Sequence, residues 1–318
     1  MKKVVLMLAI ALVGLISCNQ EAVFPDFKYQ AVYFAYQYPV RTITLGEDAS
    51  VNTDLDNAKK CQIYATIGGV YESKNNVSIK VEVDNTLLGN GLLFSAGNDV
   101  LAMPKEYYTL ASDKIAIPNG TLAGGVDVQL TDAFFADSKS IKNTYVIPLK
   151  MTSVTGADSI LSGKHFILYA VKYVNPWHGN YLRRGKDVVT GAVNQTIVRH
   201  AQYVEQDEIN KLSTKSLNEL NFPVTIKDKD GRNLSVTLVL KFDETGKCTI
   251  ASGTSGYTAT GSGAFVKKGE KKSWGNKDRD ALYLKYDINL SGINVSSSDT
   301  LVMRDRAVTF ETFTPTTK

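Results

Sequence analysis

The sequence predicts an all-β protein made of two consecutive units, each with its own hydrophobic core. Short segments with period-two alternation recur along the chain, as in Val77–Val83. Turn signals such as Pro118-Asn119-Gly120 separate these segments. Helical periodicity is confined to the short stretch Thr131–Lys139. A chain of 318 residues is long enough for two domains of ordinary size.

The N-terminus has the pattern of a bacterial lipoprotein signal. Lys2-Lys3 is followed by the apolar run Val4–Leu15, which is shorter than the roughly 20 residues of a membrane-spanning helix. Leu15-Ile16-Ser17-Cys18 resembles a lipobox, whose cysteine becomes the lipidated first residue of the mature protein. We therefore predict a signal peptide over residues 1–17, lipidation of Cys18 and a tether over residues 18–30. An ordinary signal peptide with a chance cysteine is the alternative.

The first unit, residues 31–174, is predicted to be a β-sandwich. About seven short strands with turn residues between them are typical of two packed sheets of immunoglobulin type. The clearest of these segments are Val32–Ala35, Val77–Val83, Lys114–Ile117, Tyr145–Leu149 and His165–Val174.

The second unit, residues 175–318, begins where Pro176 interrupts strand pairing and Gly179 permits a sharp turn. Antiparallel strands joined by tight turns predict a barrel or a curled sandwich. The predicted strands are Asn194–Val204, Phe222–Lys227, Leu234–Phe242, Lys247–Ala251, Tyr257–Val266, Ala281–Leu290 and Thr300–Phe313.

Charge and cysteine content exclude several classes of function. Removal of residues 1–17 takes away two lysines and no acid, so the net charge falls from +4 to +2. This charge is too small to indicate a nucleic-acid partner or electrostatic binding to an acidic membrane. A bond between Cys61 and Cys248 would have to bridge the two units, so we expect two buried thiols. Neither cysteine has the paired spacing of a metal or redox site.

The sequence lacks the common motifs of catalysis. It contains no Gly-rich phosphate loop, no His-Glu-x-x-His and no Gly-x-Ser-x-Gly. His165, His178 and His200 have no cysteine or acid at ligand spacing, so we expect neither a metal nor another cofactor. A carboxylate pair with glycosidase geometry stays open on sequence alone. We predict a protein that is not an enzyme.

Trp177 and Tyr181, with His178 between them, are one candidate aromatic platform for a ligand. Indole and phenol rings stack on the C–H patches of sugar rings and bury much area at little rotamer cost. The alternative interpretation is structural. In that case Trp177 fills the interface between the two units, and Tyr181 is a core position.

Trp274 is the second candidate, because it lies in Lys267–Asp280, the most polar stretch of the chain. Core packing does not explain a large ring there, and loops at barrel mouths commonly carry binding residues. Asn276, Arg279 and Asp280 would supply the directional hydrogen bonds that hydroxyl groups require. In the alternative interpretation Trp274 caps the end of the barrel.

Arginines also lie inside strand-like segments. Arg304 and Arg306 share one face of a strand, and Asp305 lies on the other. A charge inside a barrel must be paired, so Arg184, Arg304 or Arg306 is predicted to join a salt-bridge network with an aspartate. A pocket for an anionic ligand is the alternative.

Two groups of motifs resemble known domains. Ala102–Leu110, Ile115–Gly120 and Tyr145–Leu149 resemble the N-terminal domain of unknown function of Bacteroidetes surface lipoproteins from polysaccharide-utilisation loci. A second group of segments resembles the C-terminal domain of unknown function that commonly follows it. These segments are Trp177–Tyr181 with Arg183–Gly185, Gly261–Asp280 and Asp299–Arg306. The resemblance covers nearly all of the mature chain. It implies an immunoglobulin-like sandwich followed by a lipocalin-like β-barrel.

The resemblance further implies a non-catalytic, lipid-anchored protein that captures glycans beside an outer-membrane importer. Its expected partners are a glycan and the membrane, which it reaches through lipidated Cys18. A carrier of an apolar ligand inside the barrel and a structural or partner-docking lipoprotein are the alternatives. The expected location is the outer membrane, facing the cell surface. Asn19-Gln20-Glu21-Ala22 holds a single acid, so a periplasm-facing anchor stays open.

Overall fold

The computed structural model of the protein describes residues 27–89, 91–227 and 232–318. The predicted all-β fold is confirmed, since two packed sheets are followed by a closed antiparallel barrel. The described residues include two short α-helices, α1 (Asp54–Asn57) and α2 (Asp132–Ala136). None of the described helices is long and apolar enough to cross a membrane. The predicted signal peptide, the lipidation site Cys18 and most of the tether lie outside the described residues.

The first half of the chain forms a sandwich of two sheets. Its strands are β1 (Ala31–Tyr33), β2 (Pro39–Thr44), β3 (Lys60–Gly68), β4 (Val77–Val83), β5 (Leu92–Leu93), β6 (Asp99–Ala102), β7 (Tyr108–Leu110), β8 (Lys114–Ile117), β9 (Ala123–Leu130), β10 (Tyr145–Thr155), β11 (Ser159–Ile160) and β12 (Phe166–Val174). One sheet has the order β11-β1-β3-β9-β7. The other has the order β2-β12-β10-β6-β5, with β4 beside β10 and β8 beside β4.

Alternating residues from both sheets build the sandwich core. Strand β3 contributes Ile63 and β9 contributes Val128, while Ile79 of β4 and Ile147 of β10 come from the opposite sheet; all four are 0% exposed. The period-two alternation therefore buries one face of each sheet against the other. Cys61 lies in this core as a free thiol, and burial raises its pKa to about 12.

The second half forms the barrel. Its strands are β13 (Gly179–Gly191), β14 (Gln195–Arg199), β15 (Glu208–Ser216), β16 (Glu219–Lys227), β17 (Asn233–Phe242), β18 (Lys247–Ser252), β19 (Thr258–Glu270), β20 (Arg279–Leu290) and β21 (Ile293–Asp305). Each strand from β15 to β20 pairs with the next, and β13 pairs with both β15 and β21. These eight strands therefore close the barrel, and β14 extends it as a hairpin with β13.

The barrel interior is filled with large apolar side chains. Leu220, Phe222, Leu240, Leu282 and Leu301 are each 0% exposed and belong to one cluster. Cys248 lies in the same cluster as a free thiol, so the expectation of two buried thiols is confirmed. A small barrel packed in this way has the character of a core rather than of a ligand cavity.

A charged network crosses this interior, but its arginines, Arg183 and Arg199, are not among those predicted. Arg183 lies 2.9 Å from the Asp299 carboxylate, and both residues are 3% exposed. Tyr286 donates to the same carboxylate at 2.7 Å, and Arg199 donates to its other oxygen. Alternation along β13 directs Arg183 inward and Arg184 outward, where Arg184 pairs with Asp207.

Two predicted barrel strands differ from the structure. The segment predicted over Asn194–Val204 ends as a strand at Arg199, because Asp207 accepts from the amide of Ala201 and turns the chain. The strand predicted over Thr300–Phe313 is broken: β21 ends at Asp305, and Ala307 has a left-handed backbone with φ 50°.

Residues 306–318, which we call the C-terminal strap, leave the barrel and return to the sandwich. The strap forms β22 (Glu311–Thr312), which pairs with β2, and β23 (Thr316–Thr317), which pairs with β5. Phe313 is 6% exposed and its ring lies 4.6 Å from that of Phe94, over the outer face of the sheet. The end of the chain therefore ties the two halves together.

Candidate ligand-binding site

One buried arginine holds the junction between the sandwich and the barrel. Arg306 is 4% exposed, and its guanidinium donates hydrogen bonds to carbonyl oxygens of the sandwich loop and of the connecting segment. The acceptors and distances are Leu45 (2.9 Å), Glu47 (2.8 Å), Asn175 (2.7 Å) and His178 (2.8 Å). Arg306, one of the three arginines predicted to pair with an aspartate, binds carbonyl groups instead, because β21 ends at Asp305 and the chain then turns this side chain into the junction.

The sandwich loop that meets the barrel is fixed by its own hydrogen bonds. The carbonyl oxygen of Gly46 accepts from Thr53 at 2.7 Å and from Asn57 at 2.9 Å. Gly46 has φ +84°, and a Cβ atom there would lie 2.9 Å from the Cα of Pro176. Only glycine fits this left-handed, closely packed position. Gly46 is thereby held beside Pro176, and the next residue, Glu47, contacts Arg306 and Lys267 at the barrel end.

The loop that carries Trp274 lies on the barrel side of this junction. It joins β19 to β20 and contains a short 3-10 turn, Trp274–Asn276. The Arg279 guanidinium stacks over the indole, with 3.5 Å between its central carbon and the ring centroid. The indole N–H donates to the carbonyl oxygen of Met303 at 3.4 Å. The ring is therefore held on one face and at one edge.

A cavity of about 440 Å³ lies between these two loops, and we call it the loop cavity. Its volume falls within the range of about 300–1,000 Å³ that is usual for small-molecule sites. Trp274 and Met303 supply apolar surface. The cationic and acidic side chains are equal in number: Lys268, Lys277, Arg279, Arg304 and Arg306 against Glu47, Asp48, Asp278, Asp280 and Asp305.

The structure brings together three of the four residues proposed for the Trp274 site. Trp274, Arg279 and Asp280 line the loop cavity. The Asp280 carboxylate accepts from the backbone amide of Lys268 at 2.7 Å, which fixes its position. Asn276 is exposed in a left-handed conformation with φ 55° and lies outside the cavity lining.

Trp177 and Tyr181 do not join this site. The Trp177 ring stacks on Phe242, with centroids 4.0 Å apart and planes 10° apart. Tyr181 is 0% exposed, and its hydroxyl donates to the carbonyl oxygen of Trp177 at 2.7 Å. A ring without exposed surface offers no face to a sugar, so the core-packing interpretation holds for Tyr181. Trp177 covers the end of the barrel core.

The part of the cavity wall that comes from the sandwich was not predicted from the sequence. Glu47, Asp48 and Ser50 line the cavity from the sandwich, while the Trp274 loop follows more than two hundred residues later. Lys267 pairs with Glu47 at 2.6 Å across the junction. No local pattern in the loop reports a contact over this separation. Within the described ranges, no three His, Cys, Asp or Glu side chains form a group that would hold a metal ion.

Comparison with known proteins places this two-unit, all-β chain in a family. Residues 176–307 match the family model described as Domain of unknown function (DUF5627), and residues 27–158 match a model described as an N-terminal domain. A solved structure from Bacteroides ovatus, of unknown function, is 48% identical, with a TM-score of 0.87 over 92% of this chain and 100% of that chain. The chain therefore belongs to the family of that Bacteroides protein.

More distant structures are also from Bacteroides. An auxiliary nutrient binding protein from Bacteroides thetaiotaomicron is 14% identical over 83% of this chain and 90% of that chain, with a TM-score of 0.39. A two-domain protein with unknown function from Bacteroides fragilis is 12% identical over 87% and 89%, with a TM-score of 0.33. Neither similarity is close enough to bear on the ligand. The search of curated proteins found no match.

Proposed function

We propose that the protein is a non-catalytic glycan-binding protein and that the loop cavity is its binding site. The observation that carries this proposal is the stacked pair Trp274–Arg279, which lines a concave space at the junction of the sandwich and the barrel. Aromatic surface beside directional polar groups is the combination that saccharide recognition needs.

The charges of the loop cavity support a hydroxyl-rich ligand. A sugar hydroxyl donates one hydrogen bond and accepts others, so it is matched by carboxylates and cationic groups placed side by side. Asp280 and Arg279 offer this combination next to the indole of Trp274. A strongly charged ligand would instead call for an excess of one sign, whereas the two signs are equal here.

Screening and calorimetry test this proposal. The chain over residues 22–318 is screened by thermal shift against host and plant glycans, fatty acids and bile salts. A glycan at a concentration of a hundred times its dissociation constant stabilises the folded protein by about 2.7 kcal/mol, which is readily measured. Titration calorimetry then compares Trp274→Ala with the wild type. We expect Trp274→Ala to weaken binding at least about tenfold, since aromatic anchors dominate such sites.

Tyr203→Ala is the matched control, because Tyr203 is a 54% exposed aromatic residue of the barrel half that lies outside the loop-cavity lining. It should leave affinity unchanged. Equal affinity of Trp274→Ala and the wild type for the glycan would reject the loop cavity as the site. Stabilisation by fatty acids alone would instead favour an apolar carrier.

We further propose that Cys18 anchors the protein in the outer membrane, facing the cell surface beside a glycan importer. The lipobox Leu15–Cys18 supports this location. Acyl chains contribute about 0.8 kcal/mol for each buried methylene, enough for stable anchoring by more than one chain. Cys18→Ala should move the protein from the membrane fraction to the soluble fraction. Protease treatment of intact cells then distinguishes a surface-facing from a periplasm-facing anchor.

A further inference from the structure

A second, larger concavity adjoins the loop cavity. It has a volume of about 870 Å³ and lies between the sandwich, the start of the barrel and the C-terminal strap. We call it the junction groove. Asp48, Ser50, Asp305 and Arg306 line both spaces. The two concavities are therefore neighbours that share one wall.

The first part of the strap forms the outer wall of the groove and is fixed on both sides of residues 307–310. At one end, Arg306 is held by the four backbone carbonyls of the junction. At the other end, the amide of Phe313 donates to the carbonyl oxygen of Tyr38, and Lys172 pairs with Glu311 at 2.8 Å. Residues 307–310 are therefore held in place over the groove.

One exposed aromatic ring, that of Phe310, stands on this fixed wall, and it packs against Tyr36 of the sandwich, which lies outside the groove lining. Phe310 is 70% exposed and Tyr36 is 55% exposed, and their rings lie 5.2 Å apart at 57°. Val51 and Val308, at 59% and 36% exposure, line the groove with Phe310. Core packing does not explain apolar residues that remain so open in a fixed segment, and clustered exposed apolar residues mark binding surfaces.

The floor of the groove is polar and its side chains are fixed. Asp56 is 3% exposed, pairs with Arg41 and accepts from the amide of Thr44 at 2.8 Å. Asn180 donates to Asp305 at 2.7 Å. Cationic and acidic side chains are again equal in number: Arg41, Lys211 and Arg306 against Asp48, Asp56 and Asp305.

We infer that the junction groove is a second saccharide subsite and that the ligand is a neutral oligosaccharide spanning both spaces. The oligosaccharide passes over Asp305 and Arg306, contacts Trp274 in the loop cavity and contacts Phe310 in the groove. Balanced charge in both spaces matches hydroxyl groups rather than uronic acids. This inference rests on the proposed glycan-binding function and adds the length and charge class of the ligand.

Calorimetry with oligosaccharide ladders tests the inference. The probes are cello-, xylo- and mannooligosaccharides from the disaccharide to the hexasaccharide, with oligogalacturonides as the acidic comparison. For the wild type, affinity for a neutral ladder should rise with length and then level off. Phe310→Ala should lower the affinity for the long members about tenfold and leave the affinity for the short members unchanged.

Two further variants make the test specific. Trp274→Ala should weaken every length, because all members contact the loop cavity. Tyr203→Ala, outside both linings, should change nothing. Melting temperatures report whether Phe310→Ala is folded, and Tyr36→Ala provides a second change at the same aromatic pair.

The outcomes separate the two levels of the proposal. If Trp274→Ala weakens the long members while Phe310→Ala and Tyr36→Ala do not, the second subsite is rejected and the glycan site stands. Tighter binding of oligogalacturonides than of every neutral ladder rejects the neutral ligand. Absence of binding to all four ladders overturns the inference. If no glycan of the wider screen raises the melting temperature, the proposed function is overturned as well.

Discussion

The guanidinium of Arg306 donates a 2.8 Å hydrogen bond to the carbonyl oxygen of Glu47, although 259 residues separate the two in the sequence. The same side chain binds the carbonyl oxygens of Leu45, Asn175 and His178. One residue directly after the last barrel strand thus fixes the sandwich loop and the connecting segment. Because Arg306 lines both cavities, it also sets their shared wall.

Replacement of Arg306 by methionine should destabilise the protein. The change leaves buried carbonyl groups without their charged donor, and hydrogen bonds to charged groups contribute about 1.5–3 kcal/mol each. We expect the free energy of unfolding in urea to fall by about 3 kcal/mol. Arg304→Met is the control, since the Arg304 side chain is 45% exposed and lies 3.7 Å from Asp305. A similar loss in both variants would contradict the account of the junction.

His178 should make stability depend on pH. Burial, together with the nearby charges of Arg306, Lys211 and Lys172, lowers the pKa of His178 from 6.5 to about 4. The neutral ring accepts a 3.0 Å hydrogen bond from the amide of Thr214. Below pH 6.5 the unfolded chain therefore binds a proton that the folded protein does not, so stability is lost as the pH falls toward 4.

Urea unfolding at pH 7 and pH 5 measures this effect. The His178 contribution should lower the free energy of unfolding by about 2 kcal/mol between the two values. Because carboxylates also titrate at acidic pH, the informative quantity is the difference in pH dependence of stability between the wild type and His178→Gln. The variant should lack this part of the pH dependence. Identical pH profiles would show that His178 titrates normally in the folded protein.

Asp299 should be essential to the stability of the barrel. Asp299→Ala leaves the buried charge of Arg183 without its partner, and breaking such a pair costs about 3–5 kcal/mol. Asp99→Ala is the matched control, because Asp99 pairs with Lys318 where both side chains are at least 50% exposed. Surface pairs contribute about 0–1 kcal/mol. Urea unfolding of both variants measures the two losses of stability. An equally small loss in Asp299→Ala and Asp99→Ala would contradict the prediction and would indicate that Arg183 finds another acidic partner.

The two thiols should be unreactive in the folded chain. Cys61 and Cys248 are 1% and 4% exposed, and burial raises the pKa of each to about 12. At pH 8 the chain over residues 22–318 should release almost no thionitrobenzoate from Ellman's reagent until it is unfolded, and then two equivalents. Rapid reaction of the folded protein would contradict the packing of one or both cores.

Local patterns predicted many of the strands but missed β2, β3, β13 and β15, and contacts between distant segments were not predicted. The alternation in Val77–Val83 is a property of neighbouring residues, and the structure has a strand with those bounds. Closure of the barrel depends on the pairing of Gly179–Gly191 with Ile293–Asp305. The residues of neither segment indicate which distant strand it pairs with. The break after Asp305 likewise depends on carbonyl groups of the sandwich that attract Arg306.

The candidate site was predicted in part for the same reason. Trp274 was identified because a large ring stands out in a charged loop, and it does line a cavity. Its neighbours Glu47 and Asp48 come from the other half of the chain. Phe310 lay inside a predicted strand, where an aromatic residue is unremarkable. Only the return of the strap to the sandwich places Phe310 on an open wall.

Tryptophan fluorescence tests the central claim most directly. The chain has two tryptophans, so Trp177→Phe leaves Trp274 as the sole indole. A glycan that stabilises the protein in the screen is titrated into this variant. Binding in the loop cavity predicts a saturable change in Trp274 emission, with a midpoint equal to the calorimetric dissociation constant. Calorimetric binding with unchanged Trp274 emission would contradict the assignment of the site.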